Sequence, residues 1–133
     1  MFFLDLDGLK QINDSLGHQT GDKVLMESAD LLRRTFRDSD IKARLGGDEF
    51  GVLALEADNW SEEIILKRLK QNQQKFNGVR HGYCLSLSAG SARFDPKHPS
   101  SLSVLMARAD EAMYGRKRKH RTSDCGVNGD ERL

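Results

Sequence analysis

At 133 residues, with 38% apolar and 31% charged side chains and a net charge of +1, the chain is long enough for one domain with one core and too short for two. That balance excludes a disordered chain and a polycation, so bulk charge names no partner. No apolar run approaches the roughly 18 residues that span a bilayer, and the start at Met1–Asp5 has no basic leader or cleavage pattern; the expected location is the cytoplasm, free or as part of a tethered parent, without direct membrane insertion.

The opening Met1 to Asp5 is almost wholly apolar and reads as a buried strand that ends in acid. Leu9 to Leu16 reads as a short helix, and Gly17 to Gly21 as a glycine-punctuated turn before a longer helix from Asp22 to Phe36. On that helix Val24, Leu25, Ala29, Leu32 and Phe36 recur at helical spacing. Ile41 to Leu45 and Phe50 to Leu55 are strand-like on either side of Gly46-Gly47-Asp48-Glu49, which predicts a hairpin with acid at its tip. Trp60 to Phe76 reads as a helix with Ser61 as N-cap and Ile65, Leu69 and Phe76 near one face. Cys84 to Ala89 alternates strictly, the mark of a strand, and is extended here to Phe94. After Pro96 and Pro99, Leu102, Leu105, Met106, Ala109 and Met113 mark one face of a last helix, and residues 123–133 form a polar tail expected to be disordered. Helices alternating with mostly antiparallel strands predict an α/β (α+β) sandwich, its central sheet flanked by helices. Cys84 and Cys125 make no metal pattern and are expected to be reduced thiols.

Two acidic clusters carry the chemistry. Asp5 and Asp7 are two apart in an extended segment and share one side of it. Paired carboxylates at the end of a buried strand need compensation, and a divalent cation supplies it. With Asp48 and Glu49 at the hairpin tip, the ligands would be hard oxygens, which suit magnesium or manganese rather than zinc. Read from the residues alone, each pair serves equally well as solvated loop acids.

Arg44-Leu45-Gly46-Gly47-Asp48-Glu49-Phe50 resembles the signature of GGDEF domains, the diguanylate cyclases, whose palm-like fold is similar to that of adenylyl cyclases. Phe3-Leu4-Asp5-Leu6-Asp7, Lys10-Gln11-Ile12-Asn13-Asp14, Gly17-His18-Gln19-Thr20-Gly21-Asp22, Ser88-Ala89-Gly90 and Ala109-Asp110-Glu111-Ala112-Met113-Tyr114 resemble further family motifs in the same order, over residues 1–122. The resemblance implies condensation of two GTP molecules into cyclic di-GMP by a homodimer, each protomer holding one GTP and two magnesium or manganese ions. It implies metal roles for Asp5, the Leu6 carbonyl and Asp48, with Asp48 also assisting proton removal and Glu49 near the metals or the reacting ribose. Asp7 is left as structural. Guanine recognition falls on Asn13 and Asp22: a carboxylate accepts from guanine N1–H and the exocyclic amine, and an amide donates and accepts. The bland readings are a helix-end residue for Asn13 and an N-cap for Asp22. Gly46 and Gly47 permit close backbone approach to phosphate or ribose, as they would in any tight turn.

The basic run Arg116 to Arg121 reads as a solvated helix end rather than a nucleic-acid patch. The resemblance makes Lys117 and Arg121 phosphate ligands, four apart on one helix face, with Lys10 a third. Arg37 and Asp40 match an Arg-x-x-Asp motif that binds cyclic di-GMP as an inhibitor in the family; otherwise they form a charged turn. The chain departs from the pattern at Gly8 and Leu9, where an aromatic is common, and at His120 and Thr122. It also lacks the helix and Asp-x-Leu-Thr-Gly-Leu-like segment that precede the first strand in the family, so the domain is expected to be N-terminally incomplete.

Overall fold

The protein is represented by a computed structural model that describes residues 1–55 and 62–119. The chain runs β1 (Phe2–Leu6), α1 (Leu9–Leu16), α2 (His18–Thr35), β2 (Ile41–Arg44), β3 (Glu49–Leu53), α3 (Glu62–Asn77), β4 (Leu87–Ser91) and α4 (Leu102–Lys119). The strands form one four-stranded sheet in the order β2-β3-β1-β4, and every neighbouring pair is antiparallel. The expected antiparallel sheet with flanking helices is therefore present.

Alternation along β1 explains the layering. Phe2, Leu4 and Leu6 point to the face covered by α2 and α3, where they meet Val24, Leu32 and Ile65. Phe3 points to the other face and packs with Ala109 and Met113 of α4. Both faces of the central strand are thus covered, which is why its sequence is nearly continuous apolar. Each fully buried side chain, such as Leu4 or Leu6, contributes about 1.5–3 kcal/mol of burial. The Phe2 and Phe36 rings add an edge-to-face contact at 5.2 Å between β1 and the end of α2.

Several boundaries differ from the sequence expectation. The long helix starts at His18, not Asp22: Gly17 alone, at φ 89°, reverses the chain, and Gly21 lies within the helix. Asp22 therefore is not the N-cap. The last strand is shorter than Cys84 to Phe94 because α3 takes over part of the pairing. Asn77 accepts from the Leu85 amide and donates to its carbonyl, both at 2.8 Å, and the Gln73 side chain accepts from the Leu87 amide at 2.9 Å. That task explains why Gln73 is buried on a helix whose other buried residues are Ile65 and Leu69. Leu102 is exposed, so the buried face of α4 is Leu105, Ala109 and Met113. The expectation of reduced thiols depends on Cys125 as well as Cys84, and Cys125 lies outside the described residues. The proposed N-cap Ser61, Trp60, Cys125 and the 123–133 tail lie outside the described residues. No helix among the described residues is long and apolar enough to cross a membrane.

Candidate functional site

The end of β1 is zipped to the hairpin tip. Asp5 stands opposite Glu49 in the ladder, and the Leu6 amide donates to the Asp48 carbonyl at 2.8 Å. Residues some forty positions apart in sequence are thereby held side by side. The turn between β2 and β3 is fixed from both sides. Leu45 and Gly46 amides donate to the Glu49 carbonyl at 2.8 and 3.3 Å, while the Arg44 guanidinium donates to the Gly46 and Gly47 carbonyls at 3.0 and 2.8 Å. The Glu49 side chain lies over Gly46, where a Cβ would stand 2.9 Å from its Oε2.

A third element closes the group. A Cβ on Gly90 of β4 would meet the α4 backbone at Met113 and Ala109, so α4 lies directly on the sheet. Lys117 follows Met113 by one helical turn and reaches β1 on the same face. Its ammonium is 3.3 Å from Asp5 Oδ2 and 3.1 Å from Asp7 Oδ1. The two aspartates do share one side of the strand, as their spacing predicts. Asp7 is further held by the hydroxyls of Ser86 and Ser88, each at 2.9 Å. Ser88 stands in the Ser88-Ala89-Gly90 motif of the sequence, without a role assigned to it, whereas Ser86 was not singled out, although its two-residue spacing from Ser88 mirrors that of Asp5 and Asp7.

Electrostatics sets Asp5 apart. Burial pushes its pKa up to about 6; the Lys117 ammonium opposes that shift and the Asp48 carboxylate adds to it. Burial also works against the charged form of Lys117, but Asp7 and then Asp5 outweigh it, and the lysine pKa is raised. Asp5 Oδ1 is buried and accepts no hydrogen bond. A buried carboxylate oxygen with unspent lone pairs, beside a second carboxylate, fits a hard divalent cation. Among the described residues no group of three or more His, Cys, Asp or Glu side chains is placed to hold a metal ion.

The residues expected to read guanine lie on α1 and α2, which pack on each other. The Asn13 side chain lies against Gly21: a Cβ there would stand 1.8 Å from Asn13 Oδ1. Asp22, the next residue, is exposed, as is Lys10 on α1. Gly21 is a residue whose importance the sequence reading placed in a turn; its use is to admit the Asn13 amide between two helices. The Arg37–Asp40 segment is a tightly bonded turn. Asp40 is buried, and its carboxylate accepts from the Arg37 amide at 2.9 Å and the Leu55 amide at 3.0 Å. Lys42 donates to the Arg37 carbonyl at 2.6 Å and the Asp40 carbonyl at 3.2 Å. Asp40 thus ties the end of α2 to the end of β3 and has both oxygens engaged. Arg121 lies outside the described residues.

Against known proteins, the sequence matches the family described as diguanylate cyclase, GGDEF domain, over residues 1–123. It is 40% identical to the bifunctional diguanylate cyclase/cyclic di-GMP phosphodiesterase MucR of Pseudomonas aeruginosa, over 94% of this chain and 18% of MucR. It is 45% identical to the cyclic di-GMP phosphodiesterase NbdA of the same organism, over 96% of this chain and 16% of NbdA. The chain therefore spans only a small part of the length of these curated relatives. The crystal structure of the GGDEF domain of TpbB (YfiN) from Pseudomonas aeruginosa aligns with a TM-score of 0.75 at 38% identity, covering 92% of this chain and 77% of that one. The GGDEF domain of DgcB from Caulobacter crescentus, in complex with cyclic di-GMP, aligns at 0.70 with 27% identity, covering 90% and 72%. The chain belongs to the diguanylate cyclase, GGDEF domain family.

Proposed function

We propose that this domain condenses two GTP molecules into cyclic di-GMP and two pyrophosphates. The observation that carries the reading is the meeting of Asp5, Asp48 and Lys117 at the end of β1, with Asp5 Oδ1 buried and without a hydrogen bond. Asp5, Asp48 and the Leu6 carbonyl would hold magnesium or manganese, two ions per half-site. Bound there, the metal favours ionisation of a ribose 3′-hydroxyl and offsets charge on the triphosphate.

In this reading Asn13 and Asp22 hold guanine at the α1–α2 junction, and Lys10, Lys117 and Arg121 offset phosphate charge. Gly46 and Gly47 let the turn approach ribose and phosphate. Asp48 assists removal of the 3′-hydroxyl proton, and Glu49 sits beside the reacting ribose. Two protomers face each other, each presenting one GTP. Each 3′-oxygen attacks the partner nucleotide's α-phosphorus in line, forming the new P–O bond as the bond to pyrophosphate breaks. Product acting back on the enzyme would use Arg37, with Asp40 shaping the turn that presents it.

A second reading is favoured by one specific observation: NbdA, 45% identical, is named for cyclic di-GMP breakdown. In that case the domain binds GTP or cyclic di-GMP as a regulatory module of a longer protein and turns over weakly. Calorimetry with a non-hydrolysable GTP analogue and magnesium, and with cyclic di-GMP, run beside a pyrophosphate-release assay, separates the two. Binding with turnover supports the cyclase, binding without turnover supports the module, and no binding of either the analogue or cyclic di-GMP contradicts both.

A further inference from the structure

Asp7 takes no part in the roles above, yet it is the most heavily bonded carboxylate of the site. Ser86 Oγ donates to its Oδ2 at 2.9 Å, and Ser88 Oγ lies 2.9 Å from both of its oxygens. The Lys117 ammonium is nearer to Asp7, at 3.1 Å, than to Asp5, at 3.3 Å. Asp5, in contrast, keeps one oxygen unbonded. The two carboxylates share a strand face but are differently furnished: one is fastened to β4, the other is left with lone pairs to give.

We infer that Asp7, anchored by Ser86 and Ser88, is a positioning residue that holds the Lys117 ammonium beside Asp5 and ready for an anionic phosphate ligand. This deepens the GTP-site reading and rests on it. A lysine side chain has four rotatable bonds, and that of Lys117 is 42% exposed, so α4 alone does not fix where its charge sits. Asp7 supplies the fixed point. It also competes with Asp5 for the ammonium, which keeps Lys117 from fully neutralising the carboxylate with the unbonded oxygen. The two serines matter because they orient Asp7 without adding charge.

The test is a double-mutant cycle on the affinity of a non-hydrolysable GTP analogue with magnesium, for wild type, Asp7→Asn, Lys117→Ala and the pair. Asp7→Asn alone should weaken binding about tenfold, the scale of one charge-assisted contact. In the Lys117→Ala background the same change should cost almost nothing. Equal losses in both backgrounds would overturn the positioning role while leaving the GTP site standing. Ser86→Ala with Ser88→Ala, taken through the same two backgrounds, should give a smaller loss with the same coupling, and carries the test if Asp7→Asn does not fold.

A nucleotide-independent readout keeps the two ideas apart. The Lys117 ammonium resonance, slowed in proton exchange by its two carboxylates, should be visible by NMR in wild type and lost in Asp7→Asn. Loss of that signal together with absent GTP binding by wild type would overturn the GTP site and retain the Asp7 contact. Persistence of the signal would overturn the positioning role.

Discussion

A Cβ on Gly90 of β4 would stand 2.1 Å from the Met113 amide nitrogen of α4 and 2.4 Å from the Ala109 carbonyl oxygen. Both neighbours are backbone, so no rotamer change relieves the clash. Since Lys117 lies one turn beyond Met113, the contact also sets how far the lysine reaches over β1. Gly90→Ala should cost about 1–3 kcal/mol of stability, measured by urea denaturation, and weaken GTP-analogue binding as α4 lifts. A stability change under about 0.5 kcal/mol would contradict the close approach.

Gly21 presents the opposite case. The atoms its Cβ would meet are Oδ1 and Cγ of Asn13, which belong to a side chain and not to backbone. Gly21→Ala also gains helix propensity of up to about 1 kcal/mol, so its melting temperature should change little or rise. GTP-analogue affinity should fall, because Asn13 is displaced from the α1–α2 junction. Unchanged affinity in a folded variant would remove Asn13 from the guanine site.

Asp40 should behave as a structural residue. Asp40→Ala strips the acceptor from the Arg37 and Leu55 amides, and two unpaired donors in a part-buried setting cost about 2–4 kcal/mol. Arg37→Ala keeps the backbone donor to Asp40 and should leave stability much closer to wild type. Urea denaturation of both variants checks this; an Asp40→Ala protein as stable as wild type would show that the carboxylate is dispensable to the turn.

The pH dependence follows from Asp5, whose pKa rises from 3.8 to about 6 on folding. Between those values the folded state binds more protons than the unfolded state, so stability falls as pH rises. In the presence of EDTA the melting temperature should decline as pH passes from about 4 to about 6, and Asp5→Asn should flatten that decline. A slope identical in Asp5→Asn and wild type would place the titration elsewhere.

The local pattern of the chain carries much of this structure. The bounds of α1, Leu9–Leu16, agree with the sequence reading and fall between Gly8 and Gly17, both at positive φ, and the Asp5/Asp7 alternation puts both on the side where Lys117 meets them. What local pattern does not hold is the use made of partners distant in the chain. Gly21 resembles a turn residue until Asn13 is placed against it, and the strand at Cys84 is shortened by Asn77 and Gln73 of a helix earlier in the chain. Asp40 reads as one half of a charged motif; only the fold shows the Leu55 amide, fifteen residues on, that engages it. Composition alone would leave the acids as solvated loops, since their convergence depends on the register of β1 with β3 and on the seating of α4.

Turnover decides whether Asp5, Asp48 and Lys117 form half of a GTP-condensing site. Purified protein with GTP and magnesium should release pyrophosphate and form cyclic di-GMP, with a rate per protomer that rises with protein concentration and is lost in Asp48→Ala. Absence of product even at high protein concentration, from wild type that remains folded, would contradict it.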